Sequence, residues 1–461
     1  MTRRTPRRRW PFVLLTIFVV LVVAAGGAAY ALGWAGRWLG TDKPATPPMP
    51  ALSMRPVTAA TGQVAAPATT GRLRPAAVRR ALAGLLGDAA LGRHVLAEVS
   101  PLSGAPVLAK GSGAATPASV TKLLTTTAAL SSLGAQHRFT TTVTRAGGRL
   151  TLVGGGDPLL SSDDLDELAA HTATALRKAG VSRVRLAYDA GLFVGPSIDP
   201  HWPQTYIPEE VVAPISALTV DEAHTPGPDG QLGTADDGRE LRPADEAARA
   251  FAADLRKAGV TVAGTPAKGA TQGAEIASVE GRTVAEIVEH TLQLSDNEAA
   301  EILLRHVGEK AGDASFTGGV RAVERTLTGL GVDASGLTMY DGSGLSREDR
   351  LTPAALTGVL QLAASSHHPE LSAVLSGLPV AGFSGSLADR FEGDATHGRG
   401  LVRAKTGTLT GVSALAGLVT DQRGTPMVVV VMADRIAPTD TLDARAALDD
   451  ALAALATCAC S

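Results

Sequence analysis

The stretch PASVTKLL, residues 117–124, places a hydroxyl and an amine three residues apart at the start of an apolar, helix-prone run. Residues at positions i and i+3 share one face of a helix, so Ser119 and Lys122 can touch. A serine becomes an effective nucleophile when an adjacent base takes its proton, and a lysine with a depressed pKa can be that base. The alternative is a helix N-cap serine followed by a surface lysine. The stretch therefore needs support from motifs further along the chain.

A second motif, Ser295-Asp296-Asn297, lies between two predicted helices, the first over Thr283–Leu294 and the next beginning near Glu298. A turn of this kind can direct the Ser295 hydroxyl and the Asn297 amide into one cleft. The hydroxyl can relay a proton to a leaving amine, and the amide can hold a substrate carbonyl or the lysine. The alternative is that Asn297 only caps the following helix. Because Asn297 is the sole asparagine of the chain, the motif favours a functional role.

The third motif, Lys405-Thr406-Gly407-Thr408, lies at the end of a predicted strand. On an edge strand Lys405 and Gly407 face the same way, since side chains alternate. A cation there can hold a substrate carboxylate and also disfavour protonation of Lys122. Gly407 leaves room for a substrate backbone along the strand. The amides of Thr408 and Ser119 are expected to form an oxyanion hole. The alternative is a solvated lysine before a turn.

The composition excludes several classes of partner. The net charge is −3 and aromatic residues make up 3% of the chain. A nucleic acid bound through a basic face, or single strands stacked on aromatic side chains, is therefore not expected. The chain contains eight lysines, two of which stand in the motifs described above.

The N-terminus predicts export. Five arginines in residues 1–10 precede an apolar run over residues 11–34, which is about the length that spans a bilayer as a helix. The arginines should remain in the cytoplasm, so the remainder of the chain is expected outside the membrane, held by a single-pass anchor. The alternative is a signal peptide cleaved after Ala29-Tyr30-Ala31, which gives a secreted protein.

Two further features carry no assigned role. Cys458 and Cys460, the only cysteines, supply no framework for the fold and are too sparse for a metal site. Residues Pro226 to Gly238 form an acidic, glycine-rich loop in which Asp229, Asp236 and Asp237 can ligate calcium, but the spacing does not match an EF-hand. A solvated loop is the favoured interpretation, and no metal or cofactor is implied.

The three motifs define the expected domains. Residues 35–72, rich in Pro, Ala and Thr, are interpreted as a linker. Residues 73–139 and 281–457 contain all three motifs and are expected to form one catalytic domain. They include a helix from Ser119 to about Leu133 and three consecutive strands near the C-terminus. Residues 140–280 contain none of the motifs and are interpreted as an inserted smaller domain.

Beyond the motifs, the segments TPASVTKLLTTTAALSSLG, YDGSGLSREDRLTP and RAKTGTLTGVSALAGLV resemble those of the D-alanyl-D-alanine carboxypeptidase/endopeptidase family, the low-molecular-mass class C penicillin-binding proteins. The resemblance covers about residues 73–455. It implies an α/β (α+β) fold of the β-lactamase and penicillin-binding-protein type, in which helices flank an antiparallel five-stranded sheet. The span from Ser119 to Ser295 is shorter than in larger members, which suggests one inserted domain rather than two.

The resemblance also implies roles for individual residues. Ser119 resembles the acylated nucleophile and Lys122 its base, Ser295 and Asn297 the second active-site element, and Lys405 with Thr406 and Thr408 the carboxylate-binding strand. Arg347 resembles a residue that helps to bind the stem peptide. Glu209 and Glu210 lie near the place where an acid in relatives contacts the free amine of a diaminopimelate side chain.

These residues predict an exported serine D-Ala-D-Ala carboxypeptidase that acts on peptidoglycan stem peptides and is acylated by β-lactams. A D,D-endopeptidase that cleaves cross-links uses the same residues and remains open. A β-lactamase is disfavoured because no Glu-x-x-x-Asn segment is present, and an α/β-hydrolase because no Gly-x-Ser-x-Gly is present. A non-catalytic wall-binding protein on this fold is disfavoured because it would not need Ser119, Lys122, Asn297 and Lys405 together.

Overall fold

Two β-sheets and their covering helices make up the part of the chain that the structure, a computed structural model, describes, namely residues 71–225 and 238–461. The predicted membrane segment over residues 11–34 lies outside this part, as do Asp229, Asp236 and Asp237 of the predicted acidic loop. None of the helices in the described ranges combines the length and the apolar character needed to cross a bilayer.

The strands and helices are numbered here in chain order. The strands are β1 (Val95–Pro101), β2 (Leu108–Lys110), β3 (Arg138–Ala146), β4 (Arg149–Val153), β5 (Arg183–Asp189), β6 (His224–Thr225), β7 (Gly238–Arg239), β8 (Thr261–Val262), β9 (Ala267–Lys268), β10 (Ala274–Thr283), β11 (Val402–Leu409), β12 (Val412–Thr420) and β13 (Pro426–Ala433). The α-helices are α1 (Pro75–Ala81), α2 (Lys122–Leu133), α3 (Ser162–Lys178), α4 (Pro243–Lys257), α5 (Val284–Leu294), α6 (Asn297–Lys310), α7 (Phe316–Gly329), α8 (Pro353–Ala363), α9 (Ser372–Ser376) and α10 (Thr441–Thr457).

The first sheet is antiparallel and five-stranded, with the order β11-β12-β13-β1-β2. Its third strand, β13, is apolar without interruption because helices cover both faces of the sheet. Val428 and Val430 face a core shared with α2 and α8, whereas Val429 and Val431 face a core shared with α10. This arrangement confirms the predicted fold class, and it leaves β11, which carries the third motif, at the edge of the sheet.

The second sheet has the order β10-β3-β4-β5-β8, and β9 also pairs with β5. The β3 and β10 pairings are antiparallel, whereas β5 pairs in parallel with β4, β8 and β9. Apolar residues of α3 and α4 cover it. Its strands come from residues 138–283, but the described residues belong to one compact unit. The boundaries of an inserted domain therefore stay a prediction.

The start of the helix after Ser119 differs from the prediction. Residues Ala118–Thr121 form a 3-10 turn, and the α-helix begins only at Lys122. Ala118 has a φ of 50°, which a regular helix does not allow. The turn places Ser119 ahead of the helix rather than inside its first turn, while Lys122 is the first α-helical residue. At the other end of the chain, Cys458 and Cys460 form a disulfide after α10.

Candidate active site

The amine of Lys122 has three contacts. Its Nζ lies 3.0 Å from the Ser119 Oγ, 2.9 Å from the Asn297 Oδ1 and 2.9 Å from the main-chain carbonyl oxygen of Ser343. A neutral amine has two N–H groups and one lone pair. The two carbonyl oxygens can accept both N–H groups, which leaves the lone pair for the Ser119 hydroxyl. The arrangement can therefore deprotonate Ser119.

Burial shifts the amine of Lys122 towards its neutral form. Lys122 is fully buried, and burial lowers its pKa to about 8 although the charges of Glu301, Asp341 and others oppose the change. Burial and the charge of Lys122 hold the pKa of Lys405 well below its usual value. The influence of Lys405 on the protonation of Lys122 stays a prediction. Ser119, by contrast, is only half-buried and can meet a substrate.

The second motif forms the turn between α5 and α6. Ser295 follows α5 in the left-handed region, with a φ of 62°. Asp296 is the N-cap of α6 and accepts a hydrogen bond from the Ala299 amide at 2.9 Å. The interpretation of Asn297 as the cap is therefore wrong, because its neighbour caps the helix. Asn297 is free to accept from Lys122 and to donate from its Nδ2 to the Val211 carbonyl oxygen at 3.2 Å.

Sequence reasoning missed the buried carboxylates that hold the Ser343 carbonyl in place. Glu301 of α6 accepts hydrogen bonds from the amides of Gly342 and Ser343, the latter at 2.7 Å. Asp341 accepts from the amides of Gly344 and Ser346 and from Trp202 Nε1. A signal was available for Glu301, which follows Asn297 by four residues and so lies on the same face of the helix.

The third motif lies on the edge strand β11 beside the turn that carries Ser119. A Cβ on Gly407 would lie 2.5 Å from the Pro117 carbonyl oxygen. The structure thus gives a different reason for this glycine. The absence of a side chain leaves room for the turn at Pro117, whereas the sequence predicted that the space would take a substrate backbone. Ala404 donates its amide to the Pro379 carbonyl, away from β12. By alternation, the amides of Thr406 and Thr408 also face away from β12.

The remaining predicted residues are exposed at the surface. Arg347 donates from its Nη2 to the Thr410 carbonyl oxygen at 2.7 Å, which places it beside the end of β11. Glu209 and Glu210 immediately precede Val211, whose carbonyl meets Asn297. Direct contacts therefore join Ser119, Lys122 and Asn297. Ser295 lies on the same turn as Asn297, and its role, like that of the surface residues, stays a prediction.

Comparisons with known proteins identify the family of this chain. A sequence profile described as "D-Ala-D-Ala carboxypeptidase 3 (S13) family" matches residues 78–227 and 235–455. The chain belongs to this family. It is thereby a serine-type peptidase, and the resemblance found in the sequence is confirmed.

One relative covers nearly the full length of the chain, and others cover two thirds of it or more. It is 35% identical to carboxypeptidase DacB of Mycolicibacterium smegmatis over 99% of each protein. It is 34% identical to a D-alanyl-D-alanine carboxypeptidase of an Actinomadura species, over 67% of this chain and 71% of that one. Among solved structures, penicillin-binding protein 4 of Haemophilus influenzae matches with a TM-score of 0.65 at 21% identity, over 82% of this chain and 98% of that chain. At this low identity, the similarity to the solved structure concerns the fold alone.

Proposed function

We propose that this chain is an exported D,D-carboxypeptidase that removes the terminal D-alanine from peptidoglycan stem peptides through an acyl-enzyme on Ser119. The observation that carries the proposal is the position of Lys122 Nζ, 3.0 Å from the Ser119 oxygen and held by two carbonyl acceptors. Membership of a D-Ala-D-Ala carboxypeptidase family supports the substrate class.

The reaction has two steps. In the first, the Ser119 oxygen attacks the carbonyl carbon between two D-alanines while its proton passes to the neutral amine of Lys122. The C–N bond then breaks, and the leaving amine receives a proton relayed through the Ser295 hydroxyl. In the second step, water attacks the ester carbonyl carbon, and Ser119 regains its proton as the shortened peptide leaves. No metal or cofactor takes part in either step.

Substrate binding is assigned to the edge strand. The amides of Ser119 and Thr408 stabilise the oxyanion of each tetrahedral intermediate. Lys405, together with Thr406, binds the terminal carboxylate. An arriving carboxylate favours the charged form of Lys405 and offsets the burial that lowers its pKa. Arg347, Glu209 and Glu210 are assigned to contacts with the rest of the stem peptide.

The test is covalent labelling of the full chain with a fluorescent penicillin, because a β-lactam carries an amide that the same serine can open. Label is expected on the wild-type protein and not on Ser119→Ala. Lys122→Met, which keeps the length of the side chain and removes the base, is expected to label far more slowly. Equal labelling of wild type and Ser119→Ala would refute the assignment of the nucleophile.

A second assay addresses the substrate. Muropeptide monomers that end in D-Ala-D-Ala should lose one D-alanine, whereas cross-linked dimers should be cleaved slowly. Preferential cleavage of dimers would instead identify a D,D-endopeptidase.

The predicted anchor over residues 11–34 has its own test. Protease added outside intact cells should degrade the described part of the chain, and the untreated protein should sediment with membranes.

A further inference from the structure

A cluster of three ionisable side chains lies behind the turn of the second motif, outside the contacts assigned to catalysis. His290 of α5 faces Glu222 of the segment before β6 and Asp296, the N-cap of α6. The His290 Nε2 lies 3.2 Å from the Glu222 Oε1 and 3.3 Å from the Asp296 Oδ2. One nitrogen and two carboxylate oxygens, each from a different element, thus converge within 4.8 Å of one another.

The two distances from His290 are those expected between neighbouring ligands of a metal ion. Zinc binds imidazole nitrogen and carboxylate oxygen at about 2.0–2.1 Å, so neighbouring ligands of a tetrahedral site lie about 3.3 Å apart. Both His290 distances match this value. Although both are short enough for hydrogen bonds, the Nε2 of His290 and the Oδ2 of Asp296 are buried and neither makes a hydrogen bond of acceptable geometry.

The backbone beside the cluster has an unusual conformation. Asp221, Glu222 and Ala223 are three consecutive non-glycine residues with positive φ, at 49°, 56° and 58°. Such a run is costly for residues that carry a Cβ, and it turns the Glu222 side chain towards His290. The two oxygens of Asp296 have different partners. Oδ1 accepts the capping hydrogen bond from the Ala299 amide, and Oδ2 faces His290.

The negative charges of Glu222 and Asp296 also favour the binding of a cation between them. Two carboxylates meet around one imidazole, and Asp296 is almost fully buried. Glu298, also close to Asp296, is already paired with Arg239 at 3.0 Å. A divalent cation balances both carboxylates and leaves the imidazole neutral, as a ligand.

We propose that Glu222, His290 and Asp296 form a site for a divalent transition metal, with zinc as the best match, and that a water molecule completes the tetrahedron. The ion joins α5, the segment before β6 and the first residue ahead of α6. It thereby holds the turn that presents Ser295 and Asn297 to Lys122. The site has a positioning role and takes no part in bond breaking. It does not depend on the role proposed for Ser119, so the two proposals can fail separately.

The test measures zinc itself. The full chain, kept without reductant so that Cys458 and Cys460 remain paired, is dialysed against micromolar Zn²⁺, and bound metal is measured by mass spectrometry. One equivalent is expected for the wild type. His290→Gln and Glu222→Gln should each weaken zinc affinity roughly tenfold or more. His171→Gln is the matched control, because His171 also faces a glutamate, Glu167, but on the exposed surface of α3. This control should bind zinc as the wild type does.

A second readout needs no variant and so does not depend on how the variants fold. A ligand that binds the folded chain and not the unfolded chain raises the melting temperature. Zinc is expected to raise the melting temperature of the wild-type chain, whereas the same concentration of Mg²⁺ is not. An unchanged melting temperature with zinc, or an undiminished zinc equivalent in His290→Gln, would overturn the proposal. So would a wild-type chain that takes up no zinc, because the cluster is then only a protonated histidine between two carboxylates.

Discussion

The Nζ of Lys122 and the Oδ1 of Asn297 lie 2.9 Å apart although 175 residues separate them in the chain. This contact brings the first two motifs together. It fixes one N–H of the amine, and the Ser343 carbonyl fixes another, so the lone pair is left for Ser119. The first three predictions concern this arrangement.

The pH dependence of acylation should report the ionisation of Lys122. Because burial lowers its pKa to about 8, the base is mostly protonated at pH 7 and neutral above pH 9. The second-order rate constant for acylation by a penicillin should therefore rise about tenfold per pH unit below 8 and level off above it. Stopped-flow labelling from pH 6 to 10 measures this profile. A rate that is flat between pH 6 and 8 would contradict the assignment of Lys122 as the base.

Asn297→Asp should move that profile to higher pH. The substitution keeps the shape of the side chain and an acceptor for Lys122, but it adds a negative charge about 3 Å from the amine. An opposite charge at this distance raises a lysine pKa by about one unit or more. Acylation at pH 7 should then fall about tenfold or more while the plateau at high pH is largely kept. An unchanged midpoint would show that Asn297 is not in contact with Lys122 in solution.

Glu301→Ala should slow acylation without touching the reacting atoms. Glu301 accepts the amides of Gly342 and Ser343, and the carbonyl of Ser343 accepts from Lys122. Loss of the carboxylate leaves buried amides unpaired, at a cost of about 1–3 kcal/mol in the free energy of unfolding, and releases the loop. The acylation rate and the melting temperature should both fall. Glu309→Ala, on the exposed end of the same helix, should change neither.

Gly407→Ala should separate β11 from the turn that carries Ser119. The added Cβ would lie 2.5 Å from the Pro117 carbonyl oxygen, so either the strand or the turn must shift. A shift of the nucleophile of even 1 Å can cost about a hundredfold in rate. Penicillin labelling should fall steeply while the circular dichroism spectrum is retained. The control is Gly87→Ala, where a Cβ meets nothing within 4 Å. Equal labelling of the two variants would contradict the proposed contact.

His306→Gln should make the protein less sensitive to acid. Burial lowers the pKa of His306 to about 4, and its Nε2 lies 2.8 Å from the Gly156 carbonyl oxygen. The unfolded chain, with an ordinary pKa of about 6.5, binds more protons between these values, so stability falls as pH drops from 6.5 to 4. The contribution is about 3 kcal/mol at most.

Glutamine can still donate to the Gly156 carbonyl but does not titrate. As the pH falls from 7 to 4.5, the melting temperature of His306→Gln should therefore rise relative to that of the wild type. His171→Gln, at an exposed histidine, should follow the wild type at both values. A constant difference between His306→Gln and wild type across this range would show that His306 does not titrate as expected.

Much of the first sheet could be predicted from local sequence. β13 is apolar throughout because both of its faces are covered, and this apolar character, which β12 shares, predicts a strand. Local patterns predicted poorly where backbone geometry is unusual. The 3-10 turn at Ala118–Thr121 and the left-handed residues around Glu222 depend on contacts with distant parts of the chain.

The sequence by itself determined the family, through segments that resemble those of known members, and that resemblance implied the type of fold. It also identified Ser119, Lys122, Asn297 and Lys405 as candidates, because short motifs are local properties. Only the tertiary structure decided what surrounds the amine of Lys122. Burial sets its pKa, and Glu301 with Asp341 orders the loop that supplies its third contact. Only the tertiary structure, likewise, brought Glu222, His290 and Asp296 together. These are properties of side chains that meet across the fold, and no spacing along the chain encodes them.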